Sequence, residues 1–89
     1  MKLKDGFKLH QIDDECVILA EGIDNIDFSK MISLNESAAY LWRSLEGKNF
    51  TEQTVTDLLL SEYEVSKDLA SQDAKSFIQT LNDAGVLDL

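Results

Sequence analysis

Apolar residues alternate with polar ones over the first third of the chain and recur at helical spacing over the rest. Phe7, Leu9 and Ile12 among Lys8, His10 and Gln11 predict a strand, and Asp13-Asp14 predicts a turn, since short carboxylates bond their own backbone. Residues 16 to 20, Cys-Val-Ile-Leu-Ala, form a more fully apolar run rich in β-branched side chains and predict a second strand. The two make a hairpin that ends at Glu21-Gly22, where Gly22 is suited to a positive φ. Ile23, Ile26 and Phe28 lie among Asp24, Asn25 and Asp27, a pattern of one half-buried strand or ordered loop, and Ser29-Lys30 offers a turn back onto Met31 to Leu34. The pattern leaves one strand or two open here. It places a strand directly before the first helix.

That junction organises the chain. Asn35 follows the apolar residues 31 to 34, and Asn is a strong helix N-cap because its side-chain oxygen accepts a free amide of the first turn. Glu36 then sits at the positive end of the helix dipole. Leu34, Ala38, Leu41, Trp42 and Leu45 fall on one helical face, which puts the single tryptophan on the core side. Gly47 ends this helix in a left-handed conformation. Thr51 is the next N-cap, and Val55, Leu58, Leu59 and Tyr63 predict a second helix over residues 52 to 63. Glu64-Val65-Ser66 breaks the pattern. A third helix carries Leu69, Ala70, Ala74, Phe77, Ile78 and Leu81 inward and stops at Gly85, after which Val86-Leu87 returns to the core. Strands first and three helices after predict an α+β fold with an antiparallel sheet of three strands, with a fourth left open, in one domain of residues 1 to 89.

Composition narrows the chemistry. A chain of 89 residues with 44% hydrophobic and 28% charged residues is globular rather than disordered, and too small for a deep cleft with a lid. With one Cys and one His it holds neither an internal disulfide nor a zinc site of the usual structural kind. This cysteine usage and the absence of a long apolar run or a basic-then-apolar leader point to a cytoplasmic protein with no membrane span. The net charge of −9 repels phosphate backbones, and the eight Lys and Arg residues are scattered singly, so no nucleic-acid partner is expected.

No catalytic constellation emerges. Cys16 and His10 form a nucleophile pair only if the hairpin sets them opposite each other, and an unpaired cysteine ordinarily packs as a small apolar residue. Asp13-Asp14-Glu15 lacks the spaced ligands and central glycine of a calcium loop. The four glycines are isolated, so no phosphate-cradling loop exists. The expectation is a binding protein, not an enzyme, with no cofactor and no metal. A small sheet with an open edge presents unpaired backbone groups to which a partner peptide adds as a strand.

The runs Leu-Asn-x-x-Ala-x-x-Leu-Trp at residues 34 to 42 and x-Phe-Ile-x-x-Leu-x-x-x-Gly-Val-Leu at residues 76 to 87 resemble the PqqD family. Asp27-Phe28, Leu45, Gly47, Thr51, Val55, Leu58-Leu59, Tyr63, Val65 and Asp73-Ala74 extend the likeness over nearly the whole chain. The resemblance implies a winged-helix-like domain acting as a peptide chaperone, the recognition element for ribosomally made, post-translationally modified peptides. It implies that the leader of a precursor peptide adds to the third strand, in a groove against the third helix, and is presented to a modifying enzyme, often a radical SAM protein. Carried onto this chain, the strand is Lys30, Met31, Ile32, Ser33 and Leu34, and the helix wall is Asp73, Phe77, Thr80 and Leu81. Residues 23 to 30 are longer than the short form of the family. An acidic groove suits a leader with some Lys or Arg. The expected state is a monomer or weak dimer.

Two alternatives belong to other classes. One is a regulatory or docking subunit of an enzyme without a peptide product. The other is a winged-helix DNA-binding regulator. Its third helix would set Asp68, Asp73 and Asp83 against Lys67 and Lys75, a poor match for phosphate contact.

Overall fold

The computed structural model describes the backbone of residues 1–21 and 26–88 and the side chains of residues 1–20 and 31–88. The expected positive φ at Gly22 and the reading of residues 23 to 25 lie outside the described residues. The element order is β1 (Lys2–Leu3), β2 (Phe7–Ile12), β3 (Glu15–Glu21), β4 (Ile26–Leu34), α1 (Glu36–Leu45), α2 (Glu52–Glu62), α3 (Lys67–Asp83) and β5 (Leu87–Asp88). This is the α+β arrangement that the sequence predicts, sheet first and three helices after. The strands form an antiparallel sheet in the order β2-β3-β4 and a small two-stranded sheet of β1 and β5.

The small sheet adds two strands to those read from the sequence. Two residues a side carry no period, so β1 and β5 exist because the two ends of the chain meet: Lys2 pairs with Asp88 and Leu3 with Leu87. The Met1 amino group donates to the Phe50 carbonyl at 2.8 Å and the Phe50 amide to the Met1 carbonyl at 2.8 Å, which ties the first residues to the α1–α2 loop.

The hairpin β2–β3 closes on Asp13-Asp14, with Asp13 at φ 55, a left-handed conformation that aspartate tolerates. His10 pairs with Val17 and Gln11 with Cys16. Cross-strand partners share a face and neighbours alternate, so Cys16 and His10 lie on opposite faces of the hairpin. No nucleophile pair forms. β3 is the middle strand, and Val17, Ile18 and Leu19 are all buried, which explains a continuous apolar run instead of an alternating one.

Residues 26 to 34 make one strand, not two. Ser29-Lys30 does not turn the chain back. Ile32 pairs with Ile18 and Asp27 with Ala20. Two steps along β3 thus face five along β4, so β4 carries three extra residues in a bulge beside Leu19. Of the longer segment noted in the sequence, residues 26 to 30 lie in this strand.

The helices begin as their caps dictate. The Asn35 side chain accepts from the Ala38 amide at 2.8 Å, and Thr51 and Thr54 form a reciprocal capping box. Ser66 caps α3 by accepting from Leu69 at 3.1 Å. Gly47 and Gly85 take φ of 72 and 76 just past helix ends. Trp42, Leu41 and Leu45 of α1, Val55 and Leu59 of α2, and Ala70, Ala74, Phe77 and Leu81 of α3 pack with Ile18 and Leu34 in one core. The indole N–H of Trp42 finds no acceptor among the described residues. Leu69, expected on the inner side of α3, is 44% exposed, whereas Ala70 next to it in the same turn is fully buried.

Candidate functional site

β2 and β4 are the outer strands of the three-stranded sheet, and the backbone of β4 beyond the bulge is regular. The direction of its hydrogen bonds follows from the hairpin. Residues flanking a two-residue loop must exchange both backbone bonds, so Ile12 and Glu15 are a bonded pair. Alternation then turns the backbone groups of Val17 and Leu19 to β2 and those of Cys16 and Ile18 to β4. Cys16 pairs with Leu34 and Ile18 with Ile32, which uses the inward amides of β4. The N–H and C=O of Ser33 face the open edge, and so does the amide of Asn35. The Asn35 carbonyl is already committed to the Ala39 amide at 2.9 Å.

A cavity of about 250 Å³ opens beside this edge. Ser33 and Leu34 of β4, Asn35, and Ser37, Ala38 and Leu41 of α1 form one side. Leu59 of α2 and Asp73, Ser76, Phe77, Thr80 and Leu81 of α3 form the other. Leu34, Leu41, Leu59, Phe77 and Leu81 are buried and give an apolar floor. Ser33, Asn35, Asp73, Ser76 and Thr80 are exposed and give a polar rim. Asp73 is the single ionisable residue of the lining and makes no ion pair with any described residue.

Of the nine residues taken from the sequence, Ser33, Leu34, Asp73, Phe77, Thr80 and Leu81 come together around this groove. Met31 and Ile32 do not line it: Met31 is 50% exposed, and Ile32, on the same face of the strand as Leu34, is half-buried against the core. Lys30 belongs to β4, but its side chain lies outside the described residues. The sequence reading missed Asn35, Ser37, Ala38, Leu41, Leu59 and Ser76. Ser76 was within reach, since residues 73, 76, 77, 80 and 81 are one helical face. Ala38, Leu41 and Leu59 were not, because their spacing assigns them to the core, and only tertiary contact brings them, with Asn35 and Ser37, to the groove.

A second opening of about 570 Å³ lies between the hairpin turn and the start of α1 and shares Ser33, Leu34 and Asn35 with the groove. Gln11, Asp14, Glu15, Cys16, Glu36, Ala39 and Arg43 complete it. Cys16 is half-buried, and the Arg43 guanidinium lies 4.0 Å from its sulfur. Behind the groove, the Tyr40 and Tyr63 rings meet edge-on at 6.0 Å and the Tyr40 hydroxyl donates to the Leu58 carbonyl at 3.4 Å, bracing α1 on α2. Partial burial pushes the Tyr63 phenol above its ordinary value of 10.0, and the nearby charges of Glu36 and Glu62 add to the rise. Among the described residues no group of His, Cys, Asp and Glu is placed to hold a metal ion, and no helix is long and apolar enough to cross a membrane.

The family model for coenzyme PQQ synthesis protein D (PqqD) matches residues 15–87. The chain belongs to the PqqD family. Two solved structures have the same fold as this PqqD-family chain. One is TbiB1 in complex with the TbiA(beta) leader peptide, 26% identical, covering 99% of this chain and 95% of that one, with a TM-score of 0.72. The other is a lasso peptide synthetase B1 complexed with the leader peptide, 25% identical, covering 94% and 92% of the two chains, with a TM-score of 0.67. Curated protein sequences contain no significant match to the chain.

Proposed function

We propose that this PqqD-family chain binds the leader of a ribosomally made precursor peptide by strand addition to β4 and presents it to a modifying enzyme, of the radical SAM type where the family pattern holds. The observation that carries the reading is the pairing of an unsatisfied edge with a built floor. Ser33 turns its amide and carbonyl outward beside an apolar cavity walled by α3. An extended peptide bonds such an edge through its main chain, which supplies affinity, and sets alternate side chains into the floor, which supplies selectivity. Leader-peptide complexes of two proteins with this fold support the same reading. The chain acts by holding and orienting a substrate. Chemistry belongs to the partner.

The DNA-binding alternative loses further support, because α3 sets Asp68, Asp73 and Asp83 against Lys67 and Lys75 with no basic stripe for phosphates. The ligand to test is the leader of a short peptide encoded beside this gene with a modifying enzyme, where such a pair is found. Amide exchange measured with the leader of that peptide should slow at Ser33 and Asn35, the outward positions of the edge. Protection confined to other elements, or none at saturating peptide, overturns the proposal.

A further inference from the structure

The α3 face that meets the groove has an internal order. Asp73, Phe77 and Leu81 form one row at spacing four, and each step of four residues rises about 6 Å along a helix. An extended strand returns to the same face every two residues, or about 6.8 Å. A peptide laid along this row therefore sets successive groove-facing side chains against Asp73, then Phe77, then Leu81. Two of these positions are apolar and buried, and the third is an exposed carboxylate without an ion pair among the described residues.

We propose that Asp73 is a specificity-determining residue that selects leaders carrying Lys or Arg on the groove-facing side, two residues from an apolar anchor. The inference rests on the β4–α3 groove being the peptide site and adds the charge and spacing of what it accepts. The net charge of −9 attracts any cationic peptide from a distance, but that field is screened by salt and reads no position. Asp73 reads position because it stands one strand repeat from the apolar floor. A carboxylate in the peptide at that place would meet a like charge instead, and repulsion discriminates as effectively as attraction.

The test is a display library of random peptides about ten residues long, the span of a long strand, selected on the wild-type chain, on Asp73→Lys, on Asp73→Asn and on Glu64→Lys. Glu64 is exposed and outside the groove, so its variant makes the same change in net charge as Asp73→Lys without touching the rim. Wild type and Glu64→Lys should both recover Lys or Arg two residues from an apolar position. Asp73→Asn should lose that preference, and Asp73→Lys should replace it with Asp or Glu. Changing the selected Lys to Glu in one recovered peptide should weaken wild-type binding by about two- to fivefold at low salt, the scale of an exposed ion pair. Recovered peptides that alternate apolar residues with no charge preference overturn the inference and leave the groove as the peptide site. A Lys or Arg preference that persists in Asp73→Lys does the same. Failure of every variant to recover any peptide overturns the peptide-binding reading and this inference with it. Thermal unfolding of each variant, expected within a few degrees of wild type at these exposed positions, guards against a misfolded bait.

Discussion

The groove against α3 and the cleft beside the hairpin turn share Ser33, Leu34 and Asn35, yet they differ in what they offer a ligand. The cleft has more than twice the volume, about 570 Å³ against about 250 Å³. Its lining holds four charged residues, Asp14, Glu15, Glu36 and Arg43, whose hydration a ligand entering it would have to displace. The groove has five buried apolar side chains in its floor and an open strand edge on its rim. Size does not choose the site. The proposed strand addition draws on apolar area removed from water together with outward backbone groups, and the groove sets both against α3 with a single charged residue in its lining.

The largest expected effect tests the edge itself. Ile32→Pro removes an amide that bonds Ile18 inside the sheet and should destabilise the chain by about 3 kcal/mol or more. Ser33→Pro removes an amide that faces outward and should cost about 1 kcal/mol or less, as proline is tolerated on edges. Leader binding should nevertheless fall at least about tenfold in Ser33→Pro, the equivalent of one good main-chain contact. Urea unfolding and peptide titration measure the two quantities, and destabilisation by Ser33→Pro equal to or greater than that by Ile32→Pro would overturn the hydrogen-bond directions assigned to β4.

Next in size is a pair that sets one cavity against the other. Thr80 and Gln11 are both exposed, one on the rim of the groove and one in the cleft. Thr80→Trp should obstruct the groove and lower leader affinity about tenfold or more, while Gln11→Trp should leave it within about twofold. The opposite result would move the site to the cleft. A smaller effect is expected from Cys16→Ala, His10→Ala and Arg43→Ala, which alter the hairpin and the cleft. Each should bind the leader as wild type does within error and change stability by about 1 kcal/mol or less. Loss of binding in any of them would show that the peptide crosses the shared wall at Ser33 to Asn35.

The smallest effect concerns the brace behind the groove. The folded state holds the Tyr63 proton more tightly than the unfolded state does. Above pH 10 the unfolded chain loses that proton first, so stability should decline as pH rises from 10 toward the raised value. Tyr63→Phe should flatten this part of the profile of unfolding free energy against pH. An unchanged alkaline slope would mean that the phenol is not held by the fold.

Much of this was legible in local residue patterns. Asn35, Thr51 and the helical spacing after each are local signals, and local signals act within a turn or two of their own residue, so they survive without knowledge of the rest of the chain. The Asp13-Asp14 turn was legible for the same reason. The two-residue strands β1 and β5 were not, because neither holds a period and each exists only through the other. The continuous strand over residues 26 to 34 was left open because Ser29 and Lys30 read as a turn, whereas pairing with β3 absorbs them in a bulge.

The same division runs through the candidate site. Sequence by itself determined the chemistry available: a helix face with Asp73, Phe77, Thr80 and Leu81, an apolar strand before a capped helix, an acidic chain with one Cys and one His, and motifs of the PqqD family. Only the tertiary structure decided which amide of the strand faces outward, because hydrogen-bond direction is set by register with β3 and not by the residue itself. It also placed Leu41 and Leu59 on the groove floor and left Met31 in solvent. Residue type states what a side chain prefers to touch. Which neighbour it meets depends on how the sheet and helices close on one another, and that is a property of the whole chain.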